Sequence, residues 1–200
     1  MATIEKKEKR VNQIIEAVID CIAKDGYENL TMQHISQNSG LSKGAINHYF
    51  KSKEDILITV LKAIDNKLFA AVDKRVRNSP DIEGKLRFRL STTFDEIKND
   101  PGLIYAILSL GISNPAYGGS IRHFFKKIRR FSSGGVKLGL EKGAYKGVLP
   151  ESIGVIILGV VVGIGVQWVL DEGSFDYDKA AKISEDMIIC YLEQETKKVA

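Results

Sequence analysis

The chain has 200 residues, 44% hydrophobic and 27% charged, with four prolines and a formal net charge of +4. This is ordinary for a soluble globular protein of one domain, or of one small and one larger domain, and no long Gly/Ser linker is present. Cys21 and Cys190 lie in apolar helical patterns without C-x-x-C spacing, so neither a disulfide framework nor a zinc site is indicated, and buried free thiols suit a reducing cytoplasm.

The N-terminus, MATIEKKEKR, lacks the apolar core of a signal peptide. Val11, Ile14, Ile15, Val18, Ile19 and Ile22 recur at three- and four-residue spacing and predict an amphipathic first helix ending near Gly26. Thr31 is placed to cap a second helix, carrying Met32, Ile35 and Ser39 and stopping at Gly40. Ser42 caps a short third through about Tyr49. Ser52 with Asp55 forms a capping box for a long fourth, whose apolar positions run from Ile56 and Leu57 to Leu68 and Val72. It must stop near Asn78-Ser79-Pro80.

A further helix is expected over Ile82–Asn99, ending before Pro101, and a short apolar one over Gly102–Ile112. After breaks at Asn114-Pro115 and Gly118-Gly119, a helix runs from about Ser120 to Ala144, with a kink expected at Gly134-Gly135. Pro150 starts the next, and Tyr177–Lys198 is the last. No segment alternates at period two, so the fold class is all-α.

Ile153 to Leu170 is apolar except for Gln167 and is 18 residues long, the lower edge for a membrane span. Gly159 and Gly163 make a G-x-x-x-G step. Four glycines dilute the segment, no second span exists, and Glu151, Asp171 and Glu172 rather than basic residues flank it. A helix buried within a soluble protein or between subunits is expected, with no membrane partner.

From Asn29 to Lys53, 25 residues pass without an Asp or Glu, while Lys43, Lys51 and Lys53 are present. Such a surface suits a polyanion. On the third helix Ile46 and Phe50 fall one turn apart and join Leu41 and Ile35 in a small core. Lys43, Gly44, Asn47 and His48 then lie outside. Gly44 lets the backbone approach a major groove, Lys43 can donate to guanine O6 and N7, and Asn47 can pair with a base edge or a phosphate. Two helices joined by Ser39-Gly40-Leu41-Ser42 have the helix-turn-helix layout. Bland roles compete: Tyr49 as a cap on the small core, His48 idle at the surface, Lys51 solvated.

The stretch TMQHISQNSGLSKGAINHYFKSKE, Thr31 to Glu54, resembles the signature of tetracycline-repressor-type (TetR family) regulators. It has a capping Thr, an apolar residue four later, a Gly-apolar-Ser turn, a Lys-Gly pair, an aromatic end and a basic loop before an acidic helix start. The resemblance implies an N-terminal three-helix helix-turn-helix DNA-binding domain over residues 1–52 and a helical effector-binding and dimerisation domain over 53–200. It implies that Lys43 and Gly44 approach bases, that Thr31, Ser42, His48, Tyr49 and Lys53 hold phosphates, and that Phe50 is core. Asn47 stands where an aromatic residue is common, and His48-Tyr49 reverses the frequent order.

The family's ligand pocket lies in the second domain. Phe88, Phe94, Tyr105, Phe124, Phe131 and Trp168 are candidate lining residues here, and His123, Gln167 and Tyr105 candidate polar tips. Arg122 to Phe131 interleaves six basic residues with three Phe, most charges being expected in water. A homodimer through residues 150–171 and 176–196, an unknown small-molecule effector, a palindromic operator and a cytoplasmic location complete the expectation. No cofactor is expected. No G-x-S-x-G elbow, P-loop or dinucleotide fingerprint occurs, so no enzyme is expected. A regulator answering to a protein partner, or activating, is the alternative; a membrane-associated helical protein is a distant third.

Overall fold

The computed structural model describes residues 2–26, 29–76, 79, 81–102, 104, 118–171 and 173–199. Among them are helices α1 (Ala2–Asp25), α2 (Met32–Ser39), α3 (Lys43–Tyr49), α4 (Lys53–Val76), α5 (Ile82–Asn99), α6 (Gly118–Glu141), α7 (Pro150–Leu170) and α8 (Tyr177–Val199), and no strand. The short helix expected over Gly102–Ile112 falls outside the described residues except for Gly102 and Ile104.

The helix starts follow from local chemistry. Thr31 Oγ1 accepts from the His34 amide at 3.2 Å, Ser42 Oγ from the Ala45 amide at 3.1 Å and Ser52 Oγ from the Asp55 amide at 3.2 Å. The Asp55 carboxylate accepts in return from the Lys51 amide at 3.2 Å, one residue before the cap. Asp81 caps α5 through the Gly84 amide at 2.6 Å. Each such cap stabilises its helix by about 1 kcal/mol.

The described chain forms two compact units, Met1–Asp65 with Pro101–Phe124, and Asn66–Asp100 with Phe125–Ala200. The first buries Ile14, Val18 and Ile22 of α1 with Ile35, Ile46, Phe50, Ile56, Leu57 and Val60. The second buries Leu86, Leu90 and Phe94 of α5 with residues of α6, α7 and α8, among them Ile128, Val136, Ile157, Val161, Ile189 and Leu192. Full burial of one such side chain contributes about 1.5–3 kcal/mol.

Across Gly134-Gly135, where a kink is expected, α6 continues as one element, and the glycines lie close against α5. A Cβ on Gly135 would come within 2.9 Å of Leu86 Cδ1 and 3.5 Å of Arg89 Cδ. The apolar helix α7, expected to be buried within the protein or between subunits, is covered on one flank only by its own chain. Ile153, Gly154, Ile157, Val161 and Gly165 are buried, whereas Val155 and Ile156 stand 55% and 54% exposed. By length and apolarity α7 is long enough to cross a membrane. Its covered flank, however, is seated directly on α6 backbone: a Cβ on Gly154 would stand 2.9 Å from the Ser133 nitrogen and 3.0 Å from the Arg129 carbonyl.

Gly154→Ala should therefore lower stability by about 1–3 kcal/mol, because backbone rather than a flexible side chain must give way. The same change at Gly119, which has nothing within 4 Å, should be neutral or stabilising. Urea denaturation midpoints of the two variants check this.

Candidate nucleic-acid interface

The turn between α2 and α3 is fixed from three sides. Gly40 takes the left-handed conformation, with φ 66°, that ends α2. Ser36 Oγ donates to the Leu41 carbonyl at 2.6 Å, and the Leu41 amide donates to the Oγ of buried Ser39 at 3.3 Å. From α1, Gln13 Nε2 donates to the Ser39 carbonyl at 2.6 Å, and Arg10 holds the Gln13 oxygen at 2.9 Å. The angle of α3 is thus set by hydrogen bonds as well as by the apolar contacts beneath it.

Those contacts orient α3. Ile46 is 0% and Phe50 4% exposed. Lys43, Gly44, Asn47 and His48 are exposed, as are Ser42 and Thr31 at the two N-caps. The nearest atom to a Cβ on Gly44 would be Ser42 Oγ at 4.0 Å, so nothing in the chain itself requires glycine there. Tyr49 is half-buried, its ring edge-on to His48 at 5.1 Å. Lys53 is partly exposed at the first turn of α4. An exposed helix face of Lys, Gly, Asn and His, on a core tight enough to hold its angle, has the donors and the clearance that major-groove edges require. Among the described residues, no cluster of His, Cys, Asp or Glu could hold a metal ion.

The effector candidates are more scattered. Phe131 lines a cavity of about 20 Å³ in the second unit, together with Leu68, Leu86, Arg89, Leu90 and Ile128. That is room for about one water molecule. Phe94 is buried, edge-on to Tyr177 at 6.2 Å, and accepts the Tyr177 hydroxyl at its carbonyl. Trp168 packs on Tyr177 and Phe175. Phe124 is buried in the first unit, Phe88 is 40% exposed, and His123 is exposed. Gln167 is exposed and donates back to the Gly163 carbonyl. Tyr105 lies outside the described residues. Of the described candidates, only Phe131 lines this cavity.

Sequence reading missed Arg89. Its Nη1 donates to the Phe131 carbonyl at 3.0 Å, and its guanidinium carbon lies 4.4 Å over the Phe131 ring. Burial holds its basicity below the usual arginine range, against the opposing pull of Asp73. The available signal was its register: three residues after Leu86 and one before Leu90, both core positions of α5.

Residues 14–60 match the family described as bacterial regulatory proteins, tetR family. All eight candidate DNA-contact residues fall inside that span. The chain is 26% identical over 175 residues to the fatty acid metabolism regulator protein of Bacillus subtilis, covering 86% of this chain and 90% of that one. It is 31% identical over 107 residues to the HTH-type transcriptional regulator BetI of Klebsiella pneumoniae, covering 52% of this chain and 55% of that one. Two solved structures share the fold. The fatty acid degradation regulator FadR of Bacillus halodurans aligns with a TM-score of 0.82 at 23% identity, over 90% of this chain and 94% of that one. FadR of Bacillus subtilis in complex with stearoyl-CoA aligns at 0.79 and 24%, over 88% and 96%.

Lys43→Ala should leave the fold intact, since the side chain is exposed, and weaken specific DNA binding by about 1–3 kcal/mol per reading helix. Lys53→Ala should weaken all DNA binding and reduce the salt slope by about one unit. Fluorescence anisotropy against a DNA site selected from a random pool, at several salt concentrations, separates the two. Equal selected-site affinity of Lys43→Ala and wild type removes Lys43 from base contact.

Proposed function

We propose that the chain is a transcriptional regulator of the tetR family, a homodimeric repressor released from a palindromic operator by a long-chain acyl effector. The observation that carries the DNA-binding part is the division of α3 into a buried side, Ile46 with Phe50, and an exposed side, Lys43, Gly44, Asn47 and His48. Residues 1–52 serve as the reading head and 53–200 as the effector and dimer domain. Thr31, Ser42, Tyr49 and Lys53 steady the head on phosphates. The protein acts in the cytoplasm, where its DNA is.

The acyl effector is supported by the relative that shares most of this chain, a fatty acid metabolism regulator, and by the FadR structure holding stearoyl-CoA. The second unit offers matching walls: Leu68, Leu86, Leu90, Ile128, Ile157, Leu158 and Val161 around the small cavity. A ligand releases DNA only by binding the DNA-incompetent form more tightly, and 1–3 kcal/mol of coupling is typical, as a rough guide. The physical route is α4, which carries Ile56 and Leu57 in the core of the first unit and Val72 in that of the second. Two heads must match grooves about 34–36 Å apart, so a tilt of α4 by a few ångströms is enough to forfeit one half-site.

The dimer is supported by the apolar flank that α7 and α8 leave uncovered. Ile183 is 50%, Met187 67% and Tyr191 47% exposed, beside Val155 and Ile156. Of these, Ile156, Met187 and Tyr191, with Ile153, Val160 and Ile188, border a groove of about 270 Å³. Gly159 and Gly163 have nothing within 4 Å in their own chain, which leaves space for a symmetry mate's helix. An apolar face of this extent is rarely left to water.

Two outcomes are expected. Stearoyl-CoA should release the selected DNA site at concentrations where acetyl-CoA and free CoA do not; failure of every long-chain thioester to do so overturns the acyl reading. Gly159→Glu and Met187→Glu should each convert the dimer to monomers or aggregates in light scattering and abolish tight operator binding. A soluble wild-type monomer at micromolar concentration overturns the dimer.

A further inference from the structure

Four side chains of the second unit form one column. Lys127 Nζ of α6 lies 4.5 Å from the centroid of the Phe69 ring of α4. The Phe69 and Phe131 centroids are 4.4 Å apart, with the rings tilted by 36°. The Arg89 guanidinium closes the column 4.4 Å over Phe131. The order is cation, ring, ring, cation, each cation facing the electron-rich surface of a ring. Through it, α5 and α6 hold the second half of α4.

Arg89 is also part of the wall of the apolar cavity, where Thr93 and Ser132 supply the other polar side chains. A guanidinium has five N–H donors. The Phe131 carbonyl takes one of them, and among the described residues no carboxylate forms an ion pair with this arginine. Arg87, two residues earlier, shows the contrast: it reaches Glu83 at 2.7 Å and Asp186 at 2.6 Å. The pull of Asp73 offsets only part of the burial, and a cation withdrawn from water is costly unless hydrogen bonds or a closer counter-charge complete it. The flank of α6 beneath Arg89 is bare, because Gly134 and Gly135 carry no side chains. A Cβ there would come only to 3.9 Å of Nη1 and 3.5 Å of Cδ. The two glycines thus let the Arg89 stem lie close against α6. At about 20 Å³ the cavity admits an alkyl chain only once its walls move.

We propose that Arg89 receives the anionic, oxygen-rich head of an amphiphile whose apolar tail enters this cavity, and that its departure from Phe131 dismantles the column holding α4. The inference rests on the acyl-effector reading and adds the residue that recognises the head and the first contact that it breaks. A fatty-acid carboxylate and the thioester and phosphate oxygens of an acyl-CoA share the chemistry that a guanidinium binds. Phe69 is the transmitting residue, since it sits in the column without lining the cavity.

The test titrates the full-length protein with stearate, stearoyl-CoA and octadecanol, which share one tail and differ in the head, and follows heat on mixing. One anionic probe should bind wild type at least about tenfold more tightly than octadecanol, as a charge-assisted hydrogen bond requires. Which anion it is separates the two sources of the head. In Arg89→Gln that preference should vanish, and ligand-free operator affinity should fall as well, because the column loses its closing cation. Arg89→Lys keeps the charge without the fork and should recover part of the preference; it also decides the matter if Arg89→Gln does not fold. Phe69→Leu should keep the probe's affinity but reduce probe-induced loss of operator affinity about fivefold or more, within the usual range of coupling factors. If both Arg89 variants keep the full anion preference and release DNA normally, Arg89 is not the receptor and the acyl-effector reading stands. If wild type binds neither anion, both fall. If Phe69→Leu releases DNA as wild type does, the column is not the transmitter.

Discussion

One helix serves two cores. α4 runs unbroken from Lys53 to Val76 and contains neither glycine nor proline. Its first half places Ile56, Leu57, Val60, Leu61 and Ile64 in the interior of the first unit, and its second half places Val72 in that of the second. Sharp bends in helices need proline, glycine pairs or an inserted group, and none is encoded here. Each half is therefore constrained by a separate set of apolar contacts while the backbone hydrogen bonds tie the halves together. The capping hydroxyl of Ser52 fixes where this element begins, three residues after α3 ends. Anything that repositions Phe69 must be absorbed by small distortions along the helix or passed to its other end.

The reading head was legible in the sequence because its determinants are local. Thr31, Ser42 and Ser52 cap the helices they were expected to cap, and Gly40 takes the left-handed turn expected of it. Ile35, Ile46 and Phe50 are buried at the spacing that placed them inside. The second unit was less legible for a physical reason. Aromatic side chains fill any helical core, so aromatic content does not mark a ligand site. Phe94 pairs with Tyr177, and Trp168 with Phe175 and Tyr177, leaving Phe131 at the cavity. Glycine was equally ambiguous: Gly134-Gly135 can kink a helix or admit a neighbour, and which occurs depends on the Leu86 and Arg89 side chains opposite. For α7 the composition is the same whether its own chain or a second copy covers it.

Arg87 and Arg89 show how far one residue type can diverge over two positions. Two steps along a helix turn a side chain by about 200°, so the pair points to nearly opposite faces. Arg87 meets Glu83 one turn away and Asp186 of α8, a partly solvated arrangement that tethers α5 to α8. Solvent screening leaves such exposed pairs little net stabilisation. Arg89 lies against Phe131 and the bare glycine flank of α6, where solvent screens it less and one carbonyl is its neutral partner. In the run KLRFRL the two arginines look alike, because sequence spacing assigns a face but not what occupies the space above it.

If the effector occupies this cavity as proposed, its near-closure has a consequence in time. An entrance that must open before anything enters makes association proportional to the open fraction rather than to encounter frequency alone. At low effector concentration, arrival is diluted by the rarity of open molecules. At high concentration the rate levels off at the frequency with which the ring of Phe131 and the guanidinium of Arg89 separate. The same closure slows departure, since an occupant walled by Leu86, Leu90, Ile157 and Val161 must wait for the next opening. A regulator built this way averages its signal: brief excursions in effector level pass before the walls move, and only a sustained change is registered.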